Sequence, residues 1–530
     1  MKKWTFAAVA LAILVAAPVS ASADTTAPPL LINGVASQEK NAHFIDEDGL
    51  MMVSEEVLTS EMDMVVAREK ENVTVSTPRQ TVLLQGKIGE VQATMNEQPI
   101  LLSTPLVLHK DKVFLPLRSF VSHFGEIKWQ GHEKPTEVCY DFNQFEKVPP
   151  IAVSPTPLPY HEVVDGGVGF DNEKRQFLGD YPQGRLLFEN LDEAKHAISI
   201  SDASGKEVLV KPVHEGYQLI NSMVENGQVT WIEVGSQEAK DKVIPWYLYT
   251  KSLTKQSKPV CVEKSPEKLK DPEKDPAHRL FHYVQMKGDH IAYPFYNQDN
   301  GKVELRLYTI SKEKTAVLDS FSLAASMVTT EHASYEGGME IALSDTDVVW
   351  NKTIPRGYLE CYGDLYRYHF ADQKKTALLE GCNFKTPLLI GDTMIVESMP
   401  TRQMVNPEAH HSGDLWLYDL KTNQWTGRLN NGSTKVVGHI TRYRPLRDQY
   451  MTFYVENTND RRVPVVDVQK GLFYYAMNPQ GEFLNNIPEG QDHDVPVEIL
   501  ASSQAKGLYK VSYIQDPSKD SVIQPLILGE

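Results

Sequence analysis

The residues best placed by type and spacing to do chemistry lie in NPEAHHSGDLW, where Glu408, His410, His411 and Asp414 fall within seven residues. Neutral imidazole and carboxylate are ordinary ligands of divalent cations, so this stretch is a candidate metal site. A polar turn ahead of a strand uses the same residue types, and that plainer reading is preferred. GQDHDVPVE, with Asp492, His493 and Asp494, is read the same way. Neither segment alternates its acids around a Gly with a distal Glu, as a calcium loop does. The chain has no Gly-x-Ser-x-Gly, no His-Glu-x-x-His and no phosphate-binding Gly loop, so no catalytic residue and no cofactor is assigned. Arg118, within VFLPLRSFVSHFGEIKWQ, has two readings: a cation tying a helix to a strand, or a contact for an anionic polymer. The structural one is preferred, because the residue sits beside a turn. Trp129 alternates with Ile127 and reads as core, and His123 reads as solvent-exposed.

These candidates sit in a chain of 530 residues with formal net charge −17. Such acidity repels nucleic acid and anionic lipid. The start, MKKWTFAAVALAILVAAPVSASAD, has a basic tip, an apolar run and an Ala-x-Ala exit, which makes residues 1–23 a secretory signal peptide. The run is shorter than the ~20 residues a membrane span needs, so no membrane insertion is expected after its removal. The expected location is extracellular or cell-wall associated. Four cysteines match no zinc spacing, and in an exported chain disulfides come first to mind. CYGDLYRYHFADQKKTALLEGC reads as two strands about the turn Ala371 to Lys374, which sets Cys361 nearly opposite Cys382 as a candidate bridge.

FEKVPPIAVSPTPLPY holds five prolines between Pro149 and Pro159, so residues 143–160 read as a semi-rigid linker. It separates residues 30–142 from residues 161–530. The first region repeats itself at one ungapped offset of 63: Leu30 to Gln38 over Ala93 to Leu101, Asp48 to Leu58 over Asp111 to Val121, and Val75 over Val138. Each copy reads as strand, hairpin strand, short helix and further strands. In the second copy Pro116 opens the helix, Leu117, Phe120, Val121 and Phe124 form its apolar stripe, and Gly125 is placed as its cap.

The block FLPLRSFVSHFGEIKW, with MNEQPILLSTPLVLHKDK before it, resembles the copper amine oxidase-like N-terminal domain of secreted Gram-positive proteins. The first copy departs from that pattern, with MMVSEEV and Glu55 where Pro and Arg would stand. The resemblance implies an accessory role at the bacterial envelope. It does not bring copper or amine oxidation, since the chain has no Asn-Tyr dipeptide and no His-x-His.

The second region alternates two motifs. Strands led by a Gly or Asp turn, such as GQVTWIEV, GDHIAYPF, DTDVVWNK and GDTMIVES, are followed by aromatic-polar hairpins such as LRLYTISKEKT, DLYRYHFADQKKT and DLWLYDLKTNQWT. Seven leading strands recur every 45 to 60 residues, the signature of propeller blades, and the pattern resembles TolB-like and WD40-like bacterial propellers. The segment KSLTKQSKPVCVEKSPEKLKDPEKDPAH reads as a solvated loop. The expected fold is mainly β: a small duplicated α+β domain, then a six- or seven-bladed β-propeller. The expected function is that of a secreted, non-catalytic binding protein, its partner a cell-wall polymer or an envelope protein. The alternative is a propeller-type hydrolase or lyase acting on an extracellular polysaccharide, ester or lactone.

Overall fold

The computed structural model describes residues 28–129, 134–162, 168–266, 283–322, 340–398, 414–429, 439–484 and 498–528, apart from brief stretches inside these ranges. Residues 1–23, read above as a signal peptide, lie outside them. The chain forms two compact bodies that divide near Val138, and each is treated by itself.

In the first body the strands are β1 (Leu30–Ile32), β2 (Val35–Ala36), β3 (His43–Ile45), β4 (Met51–Ser54), β5 (Val65–Glu69), β6 (Asn72–Ser76), β7 (Val82–Lys87), β8 (Gln92–Met95), β9 (Gln98–Leu101), β10 (Val107–His109), β11 (Lys112–Pro116), β12 (Gly125–Lys128) and β13 (Thr136–Tyr140). At its centre β4 pairs antiparallel with β11, Met52 opposite Pro116 and Val53 opposite Leu115. The 63-residue offset carries the first pair onto the second, so the copies meet about a local twofold. The remaining strands are exchanged. One sheet runs β12-β13-β1-β2, and the other runs β5-β6-β7-β8-β9. Each combines the end of one copy with the start of the other, and β7 is the extra strand of the second. The apolar residues shared by the copies build one core: Val53, Val57, Leu58, Leu115, Phe120 and Val121 are each at most 1% exposed. Burying a side chain of this size is worth roughly 1.5–3 kcal/mol.

The short helix α1 spans Leu117–Val121 and begins directly after Pro116. It stops one turn earlier than the sequence suggests, and Gly125 opens β12 rather than capping a helix. The first copy has a π-helical turn, Val57–Glu61, at this place. There Ser60 donates its hydroxyl to the Glu56 carbonyl (2.6 Å) and Thr59 donates to that of Glu55 (3.0 Å). Hydroxyls that bond back to the preceding turn compete with regular helix.

The second body is a propeller of seven blades, whose described strands form five hydrogen-bonded sheets. Residues 175–210, 218–264 and 285–322 form separate four-stranded meanders, blades 1 to 3. Blades 4 and 5 share the 17-residue strand Lys374–Ile390, and residues 439–477 form blade 6. Within the sequence of blades, the first strand of one lies beside the first strand of the next, as inner strands around an axis do. The seventh blade joins Glu498–Ala501, Leu508–Tyr513 and Ser521–Leu528 to the strands β15 (Leu158–Glu162) and β16 (Val168–Phe170) from the beginning of the region. Its two chain ends thus share a sheet, which closes the ring.

The two sequence motifs are two sides of one blade. In blades 2 to 6 the turn after the aromatic strand donates a backbone N–H to the turn that leads the second strand: Leu253 to Gly227, Ile310 to Asp289, Phe370 to Thr346, Leu420 to Asp392 and Val468 to Gln449. Gly227, Gly288 and Gly391 lead three of these turns with φ of +76°, +55° and +57°, which favours Gly there.

Two segments are more ordered than their composition suggests. The Pro-rich stretch is hydrogen-bonded along the propeller: Pro150 bridges Arg428, β14 (Ala152–Val153) pairs with Leu472 and Phe473, and Ile151 is buried among Leu417, Leu429 and Met451. Proline suits such an edge position because it has no N–H to give the ladder. In the Lys-rich segment Val260–Lys264 forms the fourth strand of blade 2, since Val260 and Val262 alternate with polar neighbours.

Candidate functional site

Of the sequence candidates for a metal, Glu408, His410 and His411 lie outside the described residues. Asp414 opens a strand of blade 5, is 8% exposed and accepts an ion pair from Arg428, which also stacks on Trp416. Cys361 and the side chain of Cys382 lie outside the described residues too, as do Asp492, His493 and Asp494. The described part of that segment forms a hairpin, with strands Gly363–His369 and Lys374–Ile390 and a shifted register between Gly363 and Tyr366. Arg118 is exposed on α1, and among the described residues its side chain takes no hydrogen bond or ion pair. Its neighbour Ser119 accepts a bond from the Ser103 N–H at 2.9 Å instead. Trp129 is half-buried and His123 exposed.

The structure brings together a group that no sequence motif marks, on blade 2 and the connection leading into it. Strand Gln228–Val234 places Trp231 and Glu233 two residues apart and hence on one face. The next strand sets Tyr249 across from Trp231 and Tyr247 across from Glu233. The connection from blade 1, Val213 to Tyr217, then folds over this face. Glu233 is fully buried and accepts four hydrogen bonds: from the Val213 N–H (2.6 Å), the His214 N–H (3.2 Å), the Trp231 indole (3.0 Å) and His214 Nδ1 (2.9 Å). A carboxylate only accepts, so Nδ1 carries the proton of this bond and Nε2 takes no part in it. The imidazole stacks on Tyr247 with centroids 4.0 Å apart and lies 4.9 Å from the Tyr217 ring. Its side chain is 32% accessible.

The result is a half-exposed aromatic shelf with a fixed tautomer and a rigid floor. It can stack against a sugar or aromatic ring, with one ring nitrogen, Nε2, left outside the bond to Glu233. The signal in the sequence was an acid within an otherwise apolar strand, WIEV, preceded by the His of VHEGY.

Blade 4 holds a second His-carboxylate pair. Asp347, 1% exposed, accepts from Arg367 Nε (2.6 Å), His369 Nδ1 (2.9 Å) and the Thr346 hydroxyl (2.7 Å). Burial alone would raise its pKa, but these bonds outweigh burial and hold it below the ordinary carboxylate range. Arg367 also donates to the Leu420 carbonyl of blade 5, so this pair ties two blades together. Among the described residues no three His, Cys, Asp or Glu side chains converge as a metal site.

Residues 31–138 match the family model of the copper amine oxidase N-terminal domain. No curated protein matches the chain. Similar solved structures include TolB from Acinetobacter baumannii, at 10% identity over 67% of this chain and 82% of that one, with TM-score 0.30. The β-propeller domain of the Trilobed protease from Pyrococcus furiosus is similar at 10% identity, 70% and 95% coverage and TM-score 0.36. Oligogalacturonate lyase from Vibrio parahaemolyticus is similar at 9% identity, 70% and 98% coverage and TM-score 0.39. The propeller assignment rests on the strand order and ring closure above. The chain thus carries a domain of the copper amine oxidase N-terminal family at residues 31–138, followed by a β-propeller.

Proposed function

We propose that this is an exported, non-catalytic binding protein of the bacterial envelope. In this reading the small domain holds the chain to the cell wall, and the propeller presents its ligand contact on blade 2. The observation that carries it is the aromatic shelf of His214, Tyr217 and Tyr247, clamped by the buried Glu233. A clamped ring loses little freedom on binding, which favours affinity. The signal-type start of the sequence supports export.

The test is co-sedimentation of the full mature chain with purified cell wall and with wall-associated protein. Tyr217→Ala with Tyr247→Ala should lower the bound fraction several-fold. Equal binding by this variant would remove the shelf as the contact, and no binding by the native chain would remove the envelope reading.

The hydrolase or lyase reading draws on the same pair, because His214 could act as a base oriented by Glu233. Turnover of a polysaccharide, ester or lactone that His214→Asn abolishes and Tyr217→Ala spares would favour it.

A further inference from the structure

Across β6 to β9 the solvent face of the five-stranded sheet in the small domain has a composition that solubility does not explain. Its core face is apolar: Val73, Val75, Leu84, Ala93 and Met95 are each at most 9% exposed. The opposite face carries a shallow cleft of about 1020 Å³. Its floor is made by Asn72 and Thr74 of β6, Gln85 and Lys87 of β7, and Gln92 and Thr94 of β8. The ladder sets Thr74 beside Gln85, Gln85 beside Thr94 and Thr94 beside Pro99, one continuous row across four strands. Leu101, 74% exposed, stands across from Gln92 as an apolar wall.

In a chain of which 23% is charged, an ordinary solvent face would alternate Lys with Glu. Here the one floor charge, the Lys87 ammonium, is taken by Glu90 (3.2 Å) and Glu71 (3.8 Å). The remaining floor groups are carboxamides and hydroxyls, each able to donate and to accept. They repeat at ~4.8 Å between strands and ~7 Å along them. This neutral, bifunctional array complements a ligand that is itself neutral and rich in hydroxyl or acetamido groups. It offers no net positive charge to a polyanion, since Glu71 and Glu90 pair with Lys87 and Glu69 of β5 stands across from Asn72 on the same face.

We propose that this cleft binds an uncharged polysaccharide chain laid across β6 to β9, with Leu101 packing on the apolar face of a sugar ring. The proposal rests on the envelope-binding reading and names the wall-facing site and its ligand class. The test measures binding of the full mature chain to two probes, a β-1,4-linked N-acetylglucosamine hexamer and a β-1,4-linked glucose hexamer, by titration calorimetry. Binding of at least one is expected. Gln85→Ala with Gln92→Ala should weaken it tenfold or more, and Thr94→Glu, which puts a charge in the row, should do the same. Unaltered circular dichroism of these surface variants keeps a loss of fold from imitating a loss of binding. Failure of both hexamers to bind, or equal binding by the cleft variants, overturns the cleft. Cell-wall sedimentation by the native chain separates this from failure of the envelope reading, which would show no sedimentation at all. A peptide that binds the β9 edge and is insensitive to the cleft variants, with neither hexamer bound, also overturns it.

Discussion

Glu189 and Glu233 stand on the second strands of neighbouring blades, both at most 2% exposed, and they meet burial in opposite ways. Glu233 is saturated by four donors and organises a connection, a tryptophan and a histidine. Glu189 faces the first strand of blade 2, where among the described residues it accepts one bond, from the Ser222 hydroxyl at 2.9 Å. The strand register shifts between Ile220 and Met223, and this bulge turns Ser222 toward it. Burial is the dominant influence on Glu189 and pushes its pKa up to about 7, partly offset by the Ser222 bond. The same residue type is thus an anchor when donors surround it and a strained, titrating group when they do not.

The largest effect is expected from breaking the anchor. Glu233→Ala leaves the Trp231 indole, the His214 ring and two backbone N–H groups without their acceptor. A loss of about 3 kcal/mol or more is expected, read as a fall in the urea midpoint. A loss under about 1 kcal/mol would mean that water replaces the carboxylate, and the contrast with Glu189 would collapse.

Asp347 extends the comparison to blade 4, as a second acid whose donors outweigh burial. Asp347→Asn should cost about 2 kcal/mol at neutral pH, the worth of a charge-assisted hydrogen bond or more. Because its folded pKa is depressed, the native carboxylate contributes stability above its unfolded pKa and loses it as pH falls through the folded value. The gap between native and Asn variant should therefore narrow in acid, visible in midpoints measured down a pH series.

Glu189 reverses that sign. Its folded pKa is raised, so its stability is intact below the unfolded value near 4.5 and is lost as pH rises to about 7. Glu189→Gln, which keeps the shape and the acceptor, should stabilise the protein by roughly 3 kcal/mol at pH 8 and by almost nothing at pH 4. A variant less stable than native at pH 8 would show that the carboxylate is needed in its charged form.

These acids also mark where sequence reading succeeds and stops. The 63-residue duplication was legible because apolar positions at fixed spacing, Val53 with Pro116 or Val75 with Val138, are set by the core. The exchange of strands between its two sheets was not, since it depends on pairings such as Leu30 with Thr136, which no local pattern encodes. The blades were legible from their Gly-led turns, where positive φ constrains the residue. Ring closure by β15 was hidden in a proline-rich stretch whose composition favours a spacer. Glu233 and His214 are 19 residues apart and belong to different elements, so only the fold makes them a pair. Glu189 looked like any acid ending a strand, because desolvation is a property of the neighbouring blade.

The smallest expected effect tests how far Ser222 alone moderates Glu189. Ser222→Ala removes a hydroxyl whose bond favours the charged carboxylate, so it should cost about 1 kcal/mol above pH 7, where Glu189 is ionised. Below the unfolded value the carboxyl is neutral, can itself donate, and should lose less. Removing the hydroxyl should also move the Glu189 titration further upward, since only burial then acts on it. Repeating Ser222→Ala in the Glu189→Gln background completes a double-mutant cycle in which the pH-dependent part of the cost should vanish. If it persists there, the hydroxyl acts on the blade 1 to blade 2 boundary through packing, and Glu189 is held by burial without help from its neighbour.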